Sequence, residues 1–259
     1  MEISTGLGML VVLVAMGASI MIDGGNPAAL VNLSAIIMVA GGSIGATLIA
    51  YPIAVVKNLP TLMAQSFQAG KTDPKSTINQ FVALADQARR EGLLSLEEEA
   101  NKVEDPLIKK GLMLIVDGVD PSVVRDVLEI DNDMASRRHS VGISMLETLG
   151  GLGPSMGMVG TVMGLVGVLQ NLSDPSTLGP SIAIAFLTTL YGVLLANVLW
   201  NPMASKLKQK DKNETMAREV IVEGILSIQA GENPRIVREK LESFLLPKLR
   251  GQEGADGGA

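Results

Sequence analysis

The 259 residues include no cysteine, a single histidine (His139), 47% hydrophobic side chains and a formal charge of −6. The missing cysteines exclude disulfides and thiol metal sites. One histidine leaves little room for imidazole catalysis or zinc, and the acidic balance offers no footprint for nucleic acid.

The first apolar run, residues 5–22, follows the stretch Met1–Thr5, which holds Glu2 and no base, contrary to a secretory leader. The second run, 30–56, contains a small-residue cluster at Gly41, Gly42, Ser43 and Gly45. Residues 57–140 read as a helical domain. Ser76 is placed to cap a helix ending at Arg90 before Gly92. Ser95 and Glu98 form a capping-box pattern. Asp105-Pro106 and Asp120-Pro121 each set a cap residue before a proline suited to the first helical position, with Gly118 closing the helix between them. From Val124 the helical pattern runs on into a third apolar run, 149–169, and a fourth follows at 178–200. Asn233-Pro234 starts a last helix with Val237, Leu241, Phe244 and Leu245 on one face. The terminal GQEGADGGA is expected to be disordered.

Each apolar run is close to the about 20 residues that carry a helix across a hydrocarbon core about 30 Å thick. The expected fold is all-α: a polytopic membrane protein with four transmembrane helices and a helical cytoplasmic domain. It divides into 1–56 (first two spans), 57–140 (cytoplasmic domain), 141–204 (last two spans), 205–250 (cytoplasmic C-terminal helices) and the tail 251–259. All 21 basic residues fall within 57–138 and 206–250. Basic residues collect on the cytoplasmic side, so both termini and the middle domain are expected inside and the short connections 23–29 and 170–177 outside.

No charged residue lies centrally in any span; Glu147 stands just before the third. Intramembrane ionisable groups mark ion paths, so this chain either conducts nothing or borrows a carboxylate from a partner. Gly157, Gly160, Gly164 and Gly167 follow steps of three, four and three along one helix face, which suits a packing groove either for the chain's own helices or for a partner's helix. Thr161 and Thr189 are the notable polar groups of these spans. Each hydroxyl can bond its own backbone or serve as an oxygen ligand for a hard cation. Pro154 and Pro202 each remove a helix hydrogen bond, giving a kink or a stop. There is no nucleophile–base pair and no phosphate-binding loop, so no enzyme is indicated.

The stretch GPSMGMVGTVMGLVGVLQNLSDPSTLGPSIAIAFLTTLYGVLLANVLWNPMASKL, together with ARREGLLSLEEE, LIVDGVDPSVVRDVL and IQAGENPRIV, resembles the MotA/PomA family of flagellar stator subunits, nearest the sodium-type PomA branch. The resemblance implies a bacterial inner-membrane ring of five A subunits around two copies of a MotB/PomB-type B subunit. That subunit contributes a membrane aspartate and a peptidoglycan-binding domain, and the ring turns the rotor protein FliG. It implies rotor contact by Arg89 and Glu97, shared by Arg90, Glu98 and Glu99. It implies a sodium path past Thr161 and Thr189, with no stably bound metal and protons as the alternative ion, and conformational coupling through Pro154 and Pro202. PomA-like members can carry an aspartate early in the second span, where this chain has Asn32, which weakens an outer cation-attracting site. An ExbB/TolQ-type energy transducer is the alternative class. Those chains usually have three spans, and the fourth span and the ARREG…SLEEE segment argue against it.

Overall fold

The computed structural model describes residues 3–68, 74–173, 175–245 and 247. The tail 251–259 lies outside them. Helices account for all the regular structure, with no strand among the described residues. In chain order the longer ones are α1 (Ile3–Ile22), α2 (33–50, with a π turn at Ile37–Gly41), α3 (Leu59–Phe67), α4 (Pro74–Glu91), α5 (Leu96–Lys102), α6 (Pro106–Val116), α7 (Pro121–Gln170), α8 (175–229, with a π turn at Leu195–Trp200) and α9 (Pro234–Glu242), with single turns at Pro27–Leu30, Ile53–Val56 and Leu93–Ser95. Four of them are long and apolar enough to cross a membrane: Ser4–Ile22, Pro27–Ala50, Pro121–Gln170 and Leu178–Gln229.

The chain forms two compact units, Met1–Ala69 with His139–Gln209 and Gly70–Arg138 with Lys210–Ala259. In the first, the spanning unit, the second span stops at Ala50 rather than at Val56. Tyr51 precedes Pro52 and is extended, at φ −127° and ψ 146°, because the proline ring crowds the helical conformation of its predecessor. The Tyr51 hydroxyl then pairs with that of Thr148 at 3.0 Å. Residues 57–68, assigned by charge to the soluble part, pack with the spans: Leu59, Leu62, Met63 and Phe67 lie against the cluster of Ile143, Leu146, Trp200 and Met203.

The centre of this unit is the antiparallel seam between α7 and α8. On α7 the facing residues are Ile143, Leu146, Gly150, Gly153, Gly157, Gly160 and Gly164, alternating steps of three and four over 21 residues, which is three heptads. On α8 they are Ala185, Thr188, Gly192, Ala196, Trp200, Met203 and Leu207, covering 22 residues, with the Asn201 side chain set against Gly150. Three successive steps of four would swing a regular helix off the seam by about 40° each. The π turn Leu195–Trp200 absorbs the extra residue, and it sits just before Pro202, whose ring would crowd the carbonyl four residues back. Pro202 therefore does not stop the helix, which continues to Gln229. Pro154 likewise lies within unbroken α7.

The other unit closes on a single core. Phe81 and Ile78 of α4, Leu96 of α5, Leu112 of α6, Leu128 of α7, Ile225 of α8 and Leu241 of α9 are all at most 2% exposed. Three of the expected caps form, at Asp105, Asp120 and Asn233. Asp105 Oδ1 accepts from the backbone N–H of Leu107 and Ile108, and Asn233 Oδ1 accepts from Arg235. Asp120 takes both the N–H and the hydroxyl of Ser122, which lowers its carboxyl below the usual range, the hydroxyl bond first. Gly118 and Gly92 close their helices at φ 72° and 85°, where a side chain is disfavoured.

Two sequence expectations fail here. Ser76 is inside α4, which begins at Pro74. Ser95 makes no cap bond and has helical dihedrals, because the 3-10 turn Leu93–Ser95 feeds straight into α5; its hydroxyl donates to the Gly92 carbonyl at 2.7 Å. The Asn233 helix ends at Glu242, yet Leu245 beyond it is buried and Phe244 packs on the core.

Candidate ion-path and torque sites

The small residues of α7 bring polar groups of α8 to the seam. An added Cβ at Gly157 would stand 2.8 Å from the Thr188 carbonyl oxygen, and one at Gly160 would stand 2.7 Å from Thr188 Cβ. At Gly164 it would meet Ala185 Cβ at 2.8 Å. These three glycines therefore seat the chain's own α8. The alternative, a groove for a partner's helix, is corrected on that point: the groove is already filled. Gly167 differs, since a Cβ there would meet nothing within 4 Å.

Close approach places three threonines together. Thr161 Oγ1 reaches the carbonyl of Ala185 across the seam at 2.9 Å and that of Gly157 on its own helix at 3.0 Å. Thr188, buried, donates to Ala185 at 2.7 Å. Thr189 Oγ1 lies 2.5 Å from Thr161 Oγ1 and makes no other hydrogen bond among the described residues. Thr161 has one proton, which a carbonyl takes, so Thr189 donates to Thr161. The lone pairs of Thr189, an exposed residue, stay open to a cation or a water.

Charge is absent around this pair. From Thr148 to Ser205 only Asp174, between the last two spans, is ionisable as a carboxylate or a base. Glu147 pairs with Lys208 at 3.7 Å at the edge of the run. Among the described residues no group of three His, Asp or Glu side chains could hold a metal ion.

Asn32 has a clear local task. Its Oδ1 caps α2 by accepting from Ala35 at 3.0 Å, and its N–H donates to the Tyr191 hydroxyl at 2.9 Å. Tyr191 in turn donates to the Leu30 carbonyl. An aspartate would cap this helix equally well, so the cap alone does not decide between amide and acid.

The charged corner lies in the other unit. Arg89 and Arg90 end α4 and Glu97 and Glu98 start α5, on either side of the turn at Gly92, with Gln87 Nε2 donating to the Ser95 carbonyl at 3.2 Å to hold it. All four charged residues are exposed. Arg90 pairs with Asp86 at 2.9 Å, and Glu98 and Glu99 pair with Lys102 at 3.1 and 2.8 Å. The Glu99 and then the Glu98 hydrogen bonds hold the Lys102 ammonium above its ordinary pKa. Arg89 and Glu97 enter no ion pair among the described residues. Leu94, at the tip of the turn, is 74% exposed.

Sequence reasoning missed Thr188, Tyr191 and the π turn. Thr188 was findable: it, and not Thr189, continues the small-residue seam through Ala185 and Gly192.

The fold defines an all-helical membrane protein with four transmembrane helices. Residues 6–92 match the family model described as Motility protein A N-terminal, and 99–220 match the MotA/TolQ/ExbB proton channel family. Motility protein A of Borreliella burgdorferi is 40% identical over 221 residues, covering 85% of each chain. Chemotaxis protein PomA of Vibrio alginolyticus is 36% identical, covering 87% of each. Among solved structures, the flagellar MotAB stator complex from Bacillus subtilis superposes with a TM-score of 0.87 at 35% identity, covering 93% of this chain and 95% of that one. The C. jejuni MotAB structure superposes at 0.90 with 29% identity, covering 95% and 97%. The chain belongs to the MotA/PomA family of flagellar stator A subunits.

Proposed function

We propose that this chain is the A subunit of an ion-driven flagellar stator in the bacterial inner membrane, with both termini cytoplasmic. It acts in a ring of five around two copies of a single-span B subunit. The observation that carries this reading is the Thr161–Thr189 pair, open at Thr189, on a spanning unit without a central charge. Such a surface can offer oxygen ligands to a cation, but it needs a carboxylate from elsewhere to bind one tightly. The B subunit supplies it as an aspartate.

A sodium ion arriving from outside neutralises that aspartate, lowering the cost of moving it along the apolar face of the A ring. Each ion crossing 100 mV delivers about 2.3 kcal/mol, several times thermal energy, enough to bias a step. The π turn and Pro202 on α8, with Pro154 on α7, give the seam a place to change register during the step. The exposed Arg89 and Glu97, assisted by Arg90 and Glu98, then push on complementary charges of the rotor protein FliG.

Deleting the gene tests the class. Loss of swimming with flagella intact supports the stator, whereas loss of outer-membrane uptake or integrity with normal swimming would show an ExbB/TolQ-type transducer. Swimming speed that rises with sodium at constant pH supports the sodium path. Speed that follows the proton gradient alone would replace sodium by protons while leaving the torque reading in place.

A further inference from the structure

Between the start of α1 and residues 197–209 of α8, the spanning unit leaves a groove of about 580 Å³. Its two ends differ in chemistry. One is polar, with Ser4, Thr5, Lys206 and Gln209, and there the Lys206 ammonium donates to the Thr5 hydroxyl. The other is mostly apolar, walled by Gly8, Met9 and Val12 of α1 and Val198 of α8, and its one polar side chain, Asn197, donates to the Val193 carbonyl of its own helix. Gly8 fronts open space there, since a Cβ would meet nothing within 4 Å. From Thr5 to Val12 the helix rises about 10 Å, a large part of the half-thickness of about 15 Å of a hydrocarbon core.

Lys206 is the first basic residue after Arg138, so it stands where the uncharged fourth span gives way to the charged tail. A lysine at that boundary extends its ammonium toward the headgroups. The matching span, Ser4–Ile22, has none of its apolar window buried within the chain. A free phosphate would satisfy the polar end and leave the apolar end void, forfeiting the contacts that a filled groove makes. A zwitterionic lipid would fill the apolar end with less gain at the ammonium.

We infer that this groove seats an anionic glycerophospholipid, its phosphate on Lys206, Thr5 and Ser4 and the upper part of one acyl chain beside Gly8 and Val12. The lipid ties α1 to α8. Only its assignment to the cytoplasmic leaflet rests on the orientation proposed above; the seat itself does not depend on stator function.

The test uses the assembled complex purified from membranes, stripped of loosely bound lipid and exchanged into detergent with either phosphatidylglycerol or phosphatidylcholine. Native mass spectrometry and thermal unfolding are the readouts. One lysine near an anionic headgroup gives a preference of about fivefold for phosphatidylglycerol. Lys206→Gln abolishes that preference, and Gly8→Leu, which fills the groove, abolishes retention at this site. Gly6→Leu, also in open space but outside the groove, changes neither. Equal retention of both lipids by the natural chain, or an unchanged preference in Lys206→Gln together with unchanged retention in Gly8→Leu, overturns the inference. So does full replacement of the lipid effect by inorganic phosphate, or a photocrosslinker at Val12 that captures a second copy of this chain in place of lipid.

Discussion

Thr189 Oγ1 lies 2.5 Å from Thr161 Oγ1 across the seam of the last two spans, and only Thr189 of the two is exposed. The pair is asymmetric: Thr161 is tied to the fold through the Ala185 carbonyl, and Thr189 is tied only to Thr161. Thr161→Ala should therefore destabilise the seam by about 1 kcal/mol, the scale of an interhelical hydrogen bond in lipid. Thr189→Ala should stay within about 0.5 kcal/mol of the natural chain while slowing swimming. Thermal unfolding in detergent, set beside swimming speed, separates the two. Equal loss of stability in both variants would contradict the assignment of Thr161 as anchor and Thr189 as ligand.

The glycine face gives a graded series. Gly157→Ala and Gly160→Ala put a methyl against backbone or Cβ atoms of Thr188 at 2.8 and 2.7 Å, where no flexible side chain can move aside. Each should cost about 1–3 kcal/mol by overpacking. Gly167→Ala, in open space, should be neutral for stability. Unfolding of the three variants checks this, and a neutral Gly160→Ala would mean that the helices do not approach as closely as described.

The π turn makes a less ordinary prediction. Because α8 spends 22 residues where α7 spends 21, deleting Val198 in a Pro202→Ala background lets α8 regularise while keeping its facing residues on the seam. That variant should insert and unfold close to the Pro202→Ala parent, yet fail to swim, since π turns concentrate where a helix must change shape. Deleting one residue at 204–206 instead misaligns Leu207 with no turn to absorb it, and should fold worse. Protein recovered from membranes, its unfolding temperature and a soft-agar swimming assay distinguish these outcomes.

In the unit that holds α4 and α5, Arg89→Glu and Glu97→Arg should leave stability within about 0.5 kcal/mol, as expected for exposed side chains with no ion pair among the described residues, while torque falls. Arg90 and Glu98 hold exposed pairs, worth at most about 1 kcal/mol each. Stall torque of tethered cells reports the function and unfolding reports the fold. Unchanged torque in both reversals, with normal stator recruitment, would remove the rotor-contact assignment.

Lys240 joins α9 to α8 through Glu223 at 2.5 Å and to the connection between them through Glu232 at 3.2 Å. The Glu223 bond holds its ammonium above the ordinary value of 10.5. The folded pKa is raised, so the stabilisation is complete below 10.5 and is lost as pH rises through the folded value. The natural chain should lose stability steeply above that pH, and Lys240→Met should lose less there while starting lower at neutral pH. Unfolding at a series of alkaline pH values, with and without the substitution, measures the difference.

The four spans could be read from the sequence because hydropathy and the two gaps in basic charge need no knowledge of neighbours. The same holds for Asp105 and Asn233, whose caps are local and followed by proline. The misses share a cause. Ser95 was misread because a 3-10 turn, set by packing between α4 and α5, already holds it in helical dihedrals. Val56 does not end the second span because extended Tyr51 before Pro52 breaks the helix, which resumes only as a single turn at Ile53–Val56 while the apolar character runs on. The glycine stripe was legible as a groove, but its occupant was not, since the register of Thr188 against Gly157 and Gly160 depends on a helix some 30 residues away. For the same reason no local pattern marked the π turn. Arg89 and Glu97 look in composition like any solvated surface, and only resemblance singled them out.

Cation flux through liposomes that hold this chain alone, compared with liposomes that also hold the proposed B subunit, tests the central claim most directly. No selective flux is expected without the B subunit, flux is expected with it, and that flux should be lost when the membrane aspartate proposed for the B subunit becomes asparagine. Rapid, selective cation passage through the chain by itself would contradict the claim.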